Sequence, residues 1–390
     1  MRYPLRLVPM VVLVLLSAVS LGPLVAAAPL PAGWQTTAPA TAHIAGVTMM
    51  PAAPHTLYAA GAGVYRSDDG GVSWTPLTTA FSAAEVQVAP SNSQILYAAT
   101  GEGCASGAPG TLQRSADGGA TWQPRTGGPA SLVVSTTDAD DLLGIGCTGV
   151  YRSTDGGQHW TLLPGSGVPN FDGRLLVRGQ NDPAYLYAVF ASEGGTPAIA
   201  RSTDGGQTWQ TQVLTDLPGP GDLVVDPQDA RQVIFVSFAG YAVSPDAGAT
   251  WTARNTGLPR TGTFYHLSTT AHDPATGTWY LGSADPTQPR GVFQRSAGPA
   301  WTAVTPAPGG EPISRLVFVP AGSGPALLAV TGTGALYRFA LPGAGGLPGM
   351  PRTGGGAAEA GPEWALLGAA LLGVGLWLRR RARQGVRART

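Results

Sequence analysis

Val150-Tyr151-Arg152-Ser153-Thr154-Asp155-Gly156-Gly157-Gln158-His159-Trp160-Thr161-Leu162 reads as two short strands joined by a turn. Val150 and Arg152, then Trp160 and Leu162, alternate as two half-buried strands require, and the Asp-Gly-Gly between them supplies the positive φ angles of a tight turn. Ser153 and Asp155 carry short polar side chains able to hydrogen-bond the turn's own backbone and fix its shape. The stretch is a β-hairpin.

The hairpin recurs. Ser67, Asp69 and Trp74 repeat its frame, as do Ser115, Asp117 and Trp122, then Ser202, Asp204 and Trp209, then Ser244, Asp246 and Trp251. A sixth copy, Ser296-Ala297-Gly298-Pro299-Ala300-Trp301, lacks the Asp. The pattern S-x-D-x-G-x-x-W resembles the Asp-box (BNR) repeat, in which these Ser, Asp and Trp residues are structural. That family holds sialidases, sortilin-type receptors, xyloglucanase-type hydrolases and photosystem II assembly factor propellers. The resemblance therefore implies a fold and leaves function open.

Tryptophans at 34, 74, 122, 160, 209, 251 and 301 number seven, and so do the strands ahead of the turn, at Tyr65, Gln113, Tyr151, Ile199, Tyr241, Phe293 and Tyr337. Each unit also carries two earlier strands, such as Val86-Gln87-Val88 and Leu96-Tyr97-Ala98. Four strands per unit, at spacings of 38 to 50 residues, are the signature of propeller blades. Gly33-Trp34-Gln35-Thr36 is the second half of a hairpin without its first, and Leu336-Tyr337-Arg338-Phe339 a first half without its second. Joined, they leave no sheet edge unpaired. Residues 29–342 are expected to form an all-β, seven-bladed β-propeller closed by its N-terminal strand.

All 23 basic residues are Arg. Arg2 and Arg6 precede the first apolar run, and six more lie in the last twelve residues; setting these eight aside leaves 15 Arg against 23 Asp and Glu. An acidic body without basic clusters argues against nucleic acid as a partner. Residues 1–28, with a basic start, an apolar run and Ala26-Ala27-Ala28, read as a signal peptide. Residues 343–363 are a Gly/Pro-rich linker. Residues 364–378 carry no charge and precede Arg379-Arg380-Arg381, as a transmembrane helix does, with 379–390 as a cytoplasmic tail.

Met350-Pro351-Arg352-Thr353-Gly354 ahead of that helix resembles a sortase sorting signal, departing from it at Met350. The resemblance implies cleavage between Thr353 and Gly354 and attachment to the cell wall; a single-pass anchor that is never cut is the alternative. Either way the chain is expected to be exported and held on the outer face of the plasma membrane or cell wall, with the membrane as partner and, under the sorting-signal reading, sortase and cell wall as well.

A sialidase-like reading needs an arginine triad that opens ahead of the first Asp-box, and no Arg lies between Arg6 and Arg66. Arg66, Arg152, Arg201, Arg295 and Arg338 hold repeat-equivalent positions, which reads as structural. A xyloglucanase-like reading needs a carboxylate pair in a cleft between two propellers, and one propeller is foreseen. The loops joining the second and third strands, with the blade connections, share one face and are the place for a ligand. Three of them are long, 101–110, 191–197 and 283–291. The candidate ligand-binding residues on this face are Glu102, Asp172, Arg174, Glu193, His266, Asp285, Arg290 and Arg315.

No His-x-x-x-His, Cys-x-x-Cys or Gly-x-Ser-x-Gly motif occurs, so neither metal nor cofactor is expected. The two cysteines, Cys104 and Cys147, follow the second strands of adjacent blades, and export favours their disulfide. The leading expectation is a non-enzymatic binding propeller for an extracellular glycan or protein; the alternative is a glycoside hydrolase acting outside the cell.

Overall fold

The computed structural model describes residues 33–341 apart from 39, 51–52, 101–109, 130, 218, 220, 263, 285–290, 297 and 321–323. The expected signal peptide, linker, Thr353-Gly354 cleavage site, membrane helix and tail lie outside the described residues, as do Glu102, Cys104, Asp285 and Arg290.

Seven four-stranded antiparallel sheets form the blades. Blade 1 runs outward through Gly46–Met49, Leu57–Ala60, Val64–Ser67 and Thr75–Thr78, and blades 2 to 6 repeat that order. The first strands of successive blades touch all the way round, blade 7 back to blade 1, which makes them the inner ring. Second strands are covered on both faces by neighbouring blades, and Leu57–Ala60, Leu96–Ala99 and Leu186–Ala191 are buried at every residue. Two-sided burial is why these strands read as continuous apolar runs rather than alternating ones. Outer strands face water and are polar, as at Gln210–Val213.

The core is seven separate clusters, one in each gap between blades. Trp74 packs with Ile44, Leu57 and Leu328 between blades 7 and 1, and Trp209 with Ile145, Leu186 and Phe190 between blades 3 and 4. The blade tryptophans are packing residues. In blade 7 the outermost strand is Trp34–Thr36, paired in register Trp34 with Phe339, Gln35 with Arg338 and Thr36 with Tyr337. Trp34 is 4% exposed, its ring lies 5.2 Å from that of Phe339, and its Nε1 donates to Thr305 Oγ1 (3.1 Å) and the Pro306 carbonyl (2.9 Å). The N-terminal strand closes the ring.

Within the five intact hairpins the Ser hydroxyl donates to Asp Oδ1 at 2.7–2.8 Å and accepts the amide four residues on, Gly71, Gly119, Gly157, Gly206 or Gly248, at 2.7–2.9 Å. Asp Oδ2 accepts a hydroxyl from Ser73, Thr121, Thr208 or Thr250, and in blade 3 it meets His159 Nδ1 at 2.6 Å. These bonds, led by the threonine hydroxyl and then the threonine amide, hold the carboxyls of Asp117, Asp204 and Asp246 at about 2. The repeat arginines tie blades together: Arg201 donates to the Asp246 and Ala247 carbonyls (3.2 and 3.0 Å), and Arg338 to that of Gly70 (3.2 Å).

Two features depart from the sequence expectation. The 191–197 loop is a five-residue turn, because Leu186–Ala191 and Pro197–Ser202 extend their ladder up to it and the Ser192 amide donates to the Thr196 carbonyl. The inner strands of blades 4, 6 and 7 have seven residues against four in blades 1, 2, 3 and 5. Each longer strand bulges near its start, leaving Arg174, Ser268 and Ser314 outside the ladder.

Candidate functional site

The turns between second and third strands and the connections between blades lie on the face away from the Asp-box turns. On blades 5 and 6 this face is built around Phe238, in the turn between Val233–Ser237 and Gly240–Ser244. The amides of Tyr265 and His266, in the connection to blade 6, both donate to the Phe238 carbonyl (2.8 and 3.1 Å), locking turn and connection together. The rings of Phe238 and Phe264 stand 5.6 and 5.9 Å from the His266 ring and are 36% and 41% exposed. Flat rings exposed beside an imidazole can stack on the apolar face of a sugar or on a peptide side chain. The left-handed backbone of His266 (φ 49) is no sign of a site by itself, since His43 (φ 43) and Asn170 (φ 66) take it in other blade connections.

Nearer the axis, the first residues of the inner strands form a polar network. Arg315 Nη1 lies 3.6 Å from Asp222 Oδ1, and the Thr269 hydroxyl donates to Asp222 Oδ2 (3.0 Å) while accepting the Leu316 amide (3.1 Å). Glu85 accepts a bond from Gln87 Nε2 at 2.5 Å. Burial pushes the Glu85 carboxyl up, against the opposing hydrogen bonds of Gln87 and Ser131 and the nearby Arg315 charge. Arg174, lifted by its bulge, is exposed with Nη2 4.0 Å from Asp172 Oδ2.

Of the sequence candidates, Asp172 pairs with Arg174, Arg315 with Asp222, and His266 with the two phenylalanines; Glu193 is exposed at the tip of the blade 4 turn. Glu85, Asp222, Phe238 and Phe264 were not among the expected residues. Glu85 and Asp222 had a readable signal: each is a carboxylate at the first position of an inner strand, Glu85–Val88 and Asp222–Val225. Among the described residues no group of three His, Cys, Asp or Glu side chains could hold a metal ion.

Residues 200–211, the end of the third strand and the hairpin of blade 4, match the family model described as BNR/Asp-box repeat. The hairpin is an Asp-box repeat. No curated protein matches the chain by sequence. Among solved structures, the GH74 xyloglucanase from Xanthomonas campestris is 19% identical, with a TM-score of 0.58 over 78% of this chain and 53% of the enzyme. YCF48 from Cyanidioschyzon merolae is 12% identical, with a TM-score of 0.58 over 79% of this chain and 99% of that one. YCF48 bound to D1 peptide is 17% identical, with a TM-score of 0.56 over 80% of this chain and 100% of that one. The Asp-box chain spans about half the length of the GH74 enzymes it matches. At these identities the likeness is one of fold.

Proposed function

We propose that this Asp-box propeller is an exported, surface-anchored binding protein that takes a glycan or protein ligand on the face built from the second-to-third-strand turns and the blade connections. The observation that carries the reading is the exposed pair Phe238 and Phe264 around His266. Of five large apolar side chains exposed among the described residues, these two sit together, and adjacent exposed rings mark contact surfaces. Ion pairs at the starts of the inner strands, Asp222 with Arg315 and Asp172 with Arg174, add polar groups on the same face of the ring.

Export rests on the signal-like order of residues 1–28, and anchoring on the apolar 364–378 stretch and the arginines after it. No helix among the described residues is long and apolar enough to cross a membrane. In an exported protein Cys104 and Cys147 form a disulfide that braces blades 2 and 3; thiol titration of the denatured, unreduced chain is expected to find no free thiol, and finding two would refute the pairing.

A glycan and peptide array probed with the full-length chain tests the main reading. Binding is expected to be lost in the Phe238→Ala/Phe264→Ala double variant at an unchanged melting temperature; full retention would overturn it. A glycoside hydrolase is the second reading, favoured by one observation: Glu85 opens an inner strand of the ring and burial pushes its carboxyl up, the direction in which a general acid is tuned. Sugar release that Glu85→Gln abolishes would make it the better account.

A further inference from the structure

On the Asp-box side, away from the loop face, a cleft of about 470 Å3 opens between blades 4 and 5, lined by Tyr185, Arg201, Thr208, Gln210 and Arg231, among others. A second, of about 230 Å3, opens between blades 5 and 6 beside Arg254 and Arg295. Both are bounded by Pro245, so they flank one hairpin, that of blade 5.

Four arginines thus converge on a body otherwise rich in acid. Asp229 pairs with Arg231 at 3.2 Å, and Asp246 is occupied inside its own Asp-box. Arg201 is held by neutral acceptors, Gln210 Oε1 (2.6 Å from Nη2) and two backbone carbonyls. Arg295 lies over the rings of Tyr241 and Trp301, 5.1 and 5.2 Å from their centroids. Neutral acceptors and aromatic faces orient the guanidiniums of Arg201 and Arg295 without cancelling their charge, so the clefts keep a positive potential that attracts a carboxylate.

We propose that these paired clefts bind an acidic polysaccharide whose carboxylates meet the arginines while its hydroxyls meet Thr208, Gln210 and their neighbours. A peptide is the poorer fit. Extended peptides are recognised through apolar pockets for alternate side chains, and the larger cleft offers little apolar lining beyond Pro245, Ala247 and the Tyr185 ring. The proposal does not depend on the loop-face reading.

The test titrates the full-length chain at low salt with oligogalacturonate, with a neutral maltodextrin of equal length and with oligoglutamate. Oligogalacturonate is expected to bind, weakening as salt rises, with maltodextrin silent and oligoglutamate weaker. Arg231→Gln/Arg254→Gln changes two exposed residues and is expected to weaken oligogalacturonate at least about tenfold at an unchanged melting temperature. Phe238→Ala/Phe264→Ala is expected to leave this binding intact. Undiminished affinity in the arginine double variant, or oligoglutamate binding as tightly as oligogalacturonate, would overturn the proposal.

Discussion

Each Asp-box turn is set by one buried hydroxyl. Ser244 is fully buried, and its Oγ both donates to Asp246 and accepts the Gly248 amide. Ser244→Ala leaves that amide buried and unpaired, at an expected cost of about 1–3 kcal/mol. The same turn carries Ala247 at φ 60, where blades 1 to 4 have Gly70, Gly118, Gly156 and Gly205 at φ 70–75. Ala247→Gly relieves the left-handed strain and is expected to stabilise by about 0.5–1 kcal/mol. Denaturant titrations that moved both variants in the same direction would contradict this account of the turn. Residues of this kind were legible in the sequence because their chemistry is local, within five positions. Phe238 and Phe264 were not, because their role depends on a turn and a connection that are distant in sequence and meet only in the folded ring.

At the scale of elements, five hairpins share one electrostatic feature. Thr121, Thr208 and Thr250 hold Asp117, Asp204 and Asp246 at about 2, and the His159 amide and then its imidazole, outweighing a small burial effect, hold Asp155 lower still. The sign follows from the unfolded value near 3.9: a carboxyl depressed in the folded state adds stability that is complete above about pH 4 and is lost as pH falls towards 2. The melting temperature is expected to fall progressively across that window, less so in an Asp204→Asn/Asp246→Asn variant; equal slopes would rule the boxes out as the cause. Strand order and hairpin position were readable because two-sided burial and turn chemistry leave their own patterns. The bulges at Arg174, Ser268 and Ser314 were not, since an extra residue shows only against its partner strand. Nor did the lost Asp of blade 6 reveal what replaces it: Trp301 is buried there and its Nε1 donates to the Arg254 carbonyl of blade 5.

For the whole molecule, closure was legible and function was not. Two independent series of seven agree only if the strand at Trp34 joins the strand at Tyr337, and the register places Trp34 against Phe339 and Thr36 against Tyr337. A ligand face, by contrast, is assembled from connections that no repeat pattern constrains. The ring is the central claim, because every inter-blade cluster and both proposed binding faces depend on it. Its most direct test is the melting temperature of the chain lacking residues 29–40. Removing one buried tryptophan costs about 3–5 kcal/mol, and an opened sheet edge adds to it. The account predicts a fall of roughly 10 °C or more, and an unchanged melt would contradict it.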